Sequence, residues 1–123
     1  MDAVELDIQS ANTVAFIAER PVSLTLTPTE KTRTPAGGWK KTEGTARSAQ
    51  TFRIIEPSIR TTPPQVKLQD GSLREVAFWL LGAVGTIVEQ DDHWTDGMRK
   101  WLVADVIRDN GYEVRAIVVE DGA

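Results

Sequence analysis

A chain of 123 residues is long enough to bury one hydrophobic core without staples, so a single domain over 1–123 is expected. The absence of cysteine excludes disulfides and thiolate metal sites and is compatible with a reducing cytoplasm. A net charge of −4 argues against a dedicated nucleic-acid binder. No apolar run reaches the roughly 18–20 residues of a membrane span, and the acidic N-terminus is unlike a signal peptide; neither a membrane partner nor a targeting segment is expected.

Residues 2–20 read as a helix. Val4, Ile8, Ala11, Ala15 and Ala18 recur at steps of three and four, with Phe16 and Ile17 widening the apolar face near its end. Packing of this narrow stripe on the chain's own domain is preferred over a helix lent to a neighbouring subunit. Asp7 or Ser10 is the expected cap, and Pro21 the stop.

Val22 to Thr27 alternates strictly, threonine outward, and predicts a strand that Pro28 ends. From Thr29 to Ser48 the pattern vanishes. Pro35, the pair Gly37-Gly38, Gly44 and many threonines predict one long loop, and loops of that length in a compact domain are usually functional or disordered. Its ordering entropy has no apolar burial to offset it, so mobility in an isolated subunit is expected. The loop is locally cationic, with Lys31, Arg33, Lys40, Lys41 and Arg47 against Glu30 and Glu43, and Trp39 stands in its middle.

A second strand is predicted over Ala49–Glu56, with Phe52 and Ile54 inward. Pro63-Pro64 imposes an extended connection, and Gln65–Gln69 forms a short strand turning at Asp70-Gly71. Leu73–Leu81 reads as a strand buried on both sides, a helix being the alternative. Thr86–Glu89 is expected to continue the sheet. The chain closes with turns at Asp96-Gly97 and Asn110-Gly111, which frame an antiparallel hairpin of Lys100–Arg108 with Tyr112–Val119. Tyr112, Val114, Ala116 and Val118 share one face. The parity of Trp101 and Val103 against Val106 predicts a bulge near Ala104-Asp105. The fold class is therefore mainly β: a small β-barrel or sandwich of six to seven short antiparallel strands over 22–119, with an N-terminal helix and the long loop 29–48.

Catalytic chemistry finds little to stand on. His93, the single histidine, lies among Asp91, Asp92 and Asp96, but such a polar bend is more often a turn satisfying its own backbone than a metal site. Glu113 beside Arg115, and Asp105 near Arg108, read as surface ion pairs. No nucleophile-elbow, phosphate-loop or paired-histidine motif occurs. No enzyme activity, no cofactor and no required metal are expected. Trp79, Trp94 and Trp101 sit in apolar strands and read as core, whereas Trp39, amid glycines and lysines, reads as a partner contact, slightly ahead of a fold-back onto its own domain.

The order of features resembles a known family. The helix runs into Pro21-Val22-Ser23-Leu24-Thr25-Leu26; then come Gly37-Gly38, Gln50-Thr51-Phe52-Arg53-Ile54-Ile55, Asp70-Gly71 and Leu80-Leu81-Gly82. Asp92-His93-Trp94, Gly97, Trp101-Leu102-Val103 and Gly111-Tyr112-Glu113-Val114-Arg115-Ala116 complete the series. Nearly the whole chain resembles the head-to-tail stopper, or head-closure, proteins of long-tailed bacteriophages, especially those of actinobacteria. The resemblance implies a structural virion protein at the head–tail junction, assembled in the host cytoplasm. It would form a ring homo-oligomer between the portal and adaptor on one side and the tail terminator or tail tube on the other. It would close the channel after packaging, dock the tail and transiently meet the packaged DNA end. Lys31, Arg33, Trp39, Lys40, Lys41 and Arg47 are then the expected partner-binding residues, facing the channel or the next subunit. A tail-completion or terminator protein of the same virion, and a monomeric small-barrel nucleic-acid-binding module, are the other readings.

Overall fold

A computed structural model describes residues 2–57, 64–68 and 71–121. Among them one helix, α1 (Ala3–Glu19), precedes ten strands. These are β1 (Val22–Leu24), β2 (Thr29–Arg33), β3 (Trp39–Glu43), β4 (Gln50–Ile55) and β5 (Gln65–Lys67), then β6 (Leu73–Glu75), β7 (Phe78–Gly82), β8 (His93–Asp96), β9 (Arg99–Ile107) and β10 (Val114–Glu120). Six of them form an antiparallel sheet in the order β1-β4-β7-β10-β9-β8. Its edges meet, because Thr27, just beyond β1, bridges His93 through two backbone hydrogen bonds of 2.9 and 3.0 Å. The sheet is thus a nearly closed barrel, which leaves little unpaired edge. The remaining strands form two separate hairpins, β2–β3 and β5–β6.

The mainly β fold and the helix are as the sequence predicts. The closing hairpin is too: β9 and β10 pair antiparallel, and Ile117 faces Asp105 while Val118 faces Val103, leaving Ala104 as the bulged residue. The bulge lets adjacent Val103 and Ala104 both be buried, and Gln90 donates to the freed Ala104 carbonyl at 3.0 Å. The barrel interior gathers Leu26, Phe52, Leu80, Val103, Ala116 and Val118, all fully buried, around Val88, Trp94 and Val114. Phe78 meets Trp101 edge-on at 4.9 Å. Each fully buried large side chain contributes about 1.5–3 kcal/mol by burial alone.

Several expectations are corrected. The segment 29–48 is not one long loop; β2 and β3 pair as a hairpin from Thr29 to Glu43, and only 44–48 return without a strand. Leu73–Leu81 is two strands, broken where Val76 N–H turns to the Pro64 carbonyl and Ala77 N–H to Val118. Thr86–Glu89 is not a strand, although Val88 enters the core. Asp70, Gln69 and Pro63 lie outside the described residues. The turn at Asn110-Gly111 is not a two-residue one: the last β9 pair is Ile107 with Arg115, and the Asn110 side chain accepts from Tyr112 and Glu113 N–H, both at 3.1 Å, in a wider loop. After β8 the turn is Gly97-Met98, and a positive φ at Gly97 alone fits type II′.

The helix packs on its own barrel, over β4 and β7, but with the other face. Thr13 and Ile17 are buried and Leu6 and Ser10 half-buried, while Val4, Ile8, Ala11, Ala15 and Ala18 face solvent. A threonine can take the buried position because its hydroxyl back-bonds to the Gln9 carbonyl at 3.0 Å, satisfying its polar group within the helix. The N-cap is Asp2, which accepts from Glu5 N–H at 2.8 Å, rather than Asp7 or Ser10.

Candidate interaction site on the projecting hairpin

The β2–β3 hairpin owes its shape to its turn. Thr34 and Gly38 form the closing pair, and Gly37 N–H bonds the Thr34 carbonyl at 3.0 Å, with Pro35 at the second turn position and Gly37 at φ +90°. That is a three-residue connection in which a proline-favoured turn is followed by a left-handed glycine. The Thr34 hydroxyl adds a bond to the Gly38 carbonyl at 3.1 Å. No apolar alternation is needed, because the strands bury almost nothing: apart from half-buried Thr29 and Thr42, every residue of both is exposed.

Register sorts the side chains into two faces. Thr29 with Glu43, Lys31 with Lys41, and Arg33 with Trp39 lie on one; Glu30 with Thr42 and Thr32 with Lys40 lie on the other. The structure therefore brings Lys31, Arg33, Trp39 and Lys41 onto one face and puts Lys40 behind them. From 31 to 41 there are four cations and no acid. Two lysines directly opposite each other oppose pairing of the strands, and Trp39 remains 68% exposed at the far end.

The hairpin's root is held by polar contacts. The Thr29 hydroxyl donates to the Asp91 carbonyl at 2.8 Å and is hydrogen-bonded to His93 Nδ1 at 3.1 Å. The other imidazole nitrogen lies 3.4 Å from Glu43. A row of hydroxyl, imidazole and carboxylate invites comparison with nucleophilic catalysis, but the Asp91 carbonyl, 2.8 Å from the Thr29 hydroxyl, competes with the imidazole for the proton that activation would remove. The row pins the two strand ends to β8. Among the described residues no three His, Asp or Glu side chains are placed to hold a metal ion.

Arg47 stands apart from the other predicted site residues. Its Nε and Nη2 donate to the two carboxylate oxygens of fully buried Asp92, at 2.9 and 3.1 Å. Asp92 also accepts from Glu89 N–H at 3.1 Å. The hydrogen bond to Asp92 holds the Arg47 guanidinium above its ordinary value, with the charges of Asp92 and Glu89 adding to it against a cost of burial. On the arginine side, the contribution is fully present below the ordinary arginine range and is lost as pH rises through the raised value. Arg47 thus fastens the return leg of the hairpin to the barrel.

Beside the root a groove of about 420 Å³ opens among the β2–β3 hairpin, the β5–β6 hairpin and β8–β9. Lys41, Arg74 and Lys100 line it together with Glu43, Asp91 and Asp121, so neither sign of charge dominates. The feature that sequence reasoning missed is on the helix: the Val4–Ile8–Ala11–Ala15 stripe was visible as a pattern, but nothing in its spacing says that the mixed face of Leu6, Ser10, Thr13 and Ile17 packs inward instead.

Comparison with known proteins finds no matching family model, no matching curated protein and no matching solved structure.

Proposed function

We propose that this chain is a structural subunit of a phage head–tail connector, forming a ring below the portal and adaptor, closing the DNA channel after packaging and presenting a docking surface to the tail. The observation that carries the reading is the β2–β3 hairpin. It projects from a nearly closed barrel, supplies nothing to the core and exposes Trp39 with Lys31, Arg33 and Lys41 on one face. A solvated tryptophan among fixed like charges suits contact with a partner, since aromatic and basic side chains dominate interface hot spots. The sequence resemblance to stopper proteins supplies the setting. A tail-completion or terminator role uses the same assembly logic on the tail side of the junction.

Removing the chain from the virus that encodes it tests the reading. The expected products are packaged heads that lose DNA and unjoined tails, with restoration when the chain is supplied in trans. Intact tailed particles in its absence would contradict it. A second reading, a monomeric nucleic-acid-binding module, is favoured by the same face, where cations would neutralise phosphates and Trp39 would stack on a base. A salt titration with single-stranded and duplex DNA separates the two, because the module binds as a monomer with a steep negative salt slope.

A further inference from the structure

Two surfaces of the molecule present apolar side chains framed by charge of opposite sign. One is the outward face of α1, where Val4 is 68% exposed, Ile8 and Val14 are each 54% exposed, and Ala11 and Ala15 lie alongside. The helix itself carries Glu5, Asp7 and Glu19 and no lysine or arginine; Arg53 of β4 and the C-cap Arg20 neutralise its C-terminal end, where Arg53 pairs with Glu19 at 3.0 Å, so the acidic frame is Glu5 and Asp7. The other is the distal half of the β2–β3 hairpin, with Trp39 among Lys31, Arg33, Lys40 and Lys41 and no acid between 31 and 41. The acids near the helix start also serve its capping and dipole. Neither explains the solvated Val4, Ile8 and Val14.

The fold keeps the two surfaces apart. The helix lies over β4 and β7, whereas the hairpin is rooted at the seam where Thr27 meets β8. We propose that the hairpin of one copy docks on the outward face of α1 of a second copy, with Trp39 laid against Val4, Ile8 and the alanines and the cations facing Glu5 and Asp7. This inference rests on the ring reading and assigns its subunit interface. Alanines at Ala11 and Ala15 leave a shallow bed for an indole between larger side chains. Because the two surfaces differ, the contact is head-to-tail: each copy retains one free hairpin or one free helix face, and successive contacts generate a ring or, if the rotation does not close, a filament. Opposite charges across the contact also disfavour hairpin-to-hairpin and helix-to-helix pairing.

The test is sedimentation of the full chain over a range of protein and salt concentrations. Four forms are compared: the wild type, Lys31→Glu with Lys41→Glu, Glu5→Lys with Asp7→Lys, and all four changes together. Each reversal alone should weaken self-association about tenfold or more, and the combined form should recover to within about threefold of the wild type. A wild type that stays monomeric at all concentrations, or folded single reversals that associate as well as it does, would overturn the interface.

A second measurement avoids any effect of the reversals on helix stability. The chain has no cysteine, so a mixture of Ile8→Cys and Arg33→Cys, the latter directly opposite Trp39 and leaving the indole in place, should cross-link under oxidant as a heterodimer, and the two changes in one chain should give a ladder. No heterodimer in the mixture, or equal cross-linking by Arg33→Cys alone, would overturn the proposal. Virus assembly separates this inference from the function it rests on. If particles need the chain but reversals leave association intact, the interface is wrong and the connector reading stands. If association follows the charges but particles form without the chain, the reverse holds.

Discussion

Two hairpins of this molecule use the same backbone pairing for opposite ends. β9–β10 alternates Val103, Val114, Ala116 and Val118 into the barrel and depends on burial. β2–β3 sets Lys31 against Lys41 and Arg33 beside Trp39, and buries almost nothing. A two-stranded hairpin alone in water is marginal. This one is held by its Thr34–Gly38 turn and by polar ties at its root: Thr29 to Asp91, Glu43 near His93, and Arg47 to Asp92. Burial fixes the first hairpin and leaves its side chains unavailable. Anchoring at the root fixes the second and leaves its distal half, Trp39 above all, exposed to solvent.

The comparison breaks most visibly at the core. Phe52→Ala should destabilise the isolated subunit by about 3–5 kcal/mol in a denaturant titration, because it empties the centre of the barrel. A loss below about 1 kcal/mol would mean that the barrel is not the stable unit. Asp92→Ala comes next. It strips the partner from Arg47, whose side chain is only 22% exposed, and should cost roughly 2–4 kcal/mol, less than a fully buried pair because the guanidinium can reach water. The same substitution should loosen the root of the hairpin, read as faster amide exchange across β2 and β3 than in the wild type.

The outer hairpin should behave differently. Trp39→Ala should leave monomer stability within about 0.5 kcal/mol of the wild type, as befits an exposed side chain without core contacts. A drop of 2 kcal/mol would show that the indole folds back onto the barrel. Smallest of all, Lys41→Thr should raise stability by about 0.2–1 kcal/mol, since it removes a like charge directly opposite Lys31. If it lowers stability instead, the lysine pair is compensated within the subunit.

The sequence made the buried half legible because burial writes a pattern. Alternation in β10, the inward Phe52 and the parity slip that became the Ala104 bulge were all readable from period two. The projecting hairpin was not, since strands that face no core carry no such period; only Thr34-Pro35-Ala36-Gly37-Gly38, with proline at the second turn position and glycine in the left-handed region, recorded it. The helix misled in the other direction. Its most regular apolar stripe faces water, and a back-bonded Thr13 lies beneath it against the barrel. Of the candidate site residues, Lys31, Arg33, Trp39 and Lys41 come together on one face. Lys40 lies behind them, and the Arg47 charge is taken up by Asp92, forty-five residues further along the chain, a pairing that no local pattern announces.

The central claim is that the hairpin is ordered for partners and not for the barrel. On the connector reading, the direct measurement is the yield of DNA-filled, tailed particles when the chain is replaced by a form in which Asn-Gly substitutes for Arg33–Trp39, joining the paired Thr32 and Lys40 through a tight turn. The account predicts a tenfold or greater loss of such particles, roughly the effect of removing one interface hot spot, from a subunit whose unfolding midpoint is unchanged. Normal particle yield from the trimmed chain would contradict it.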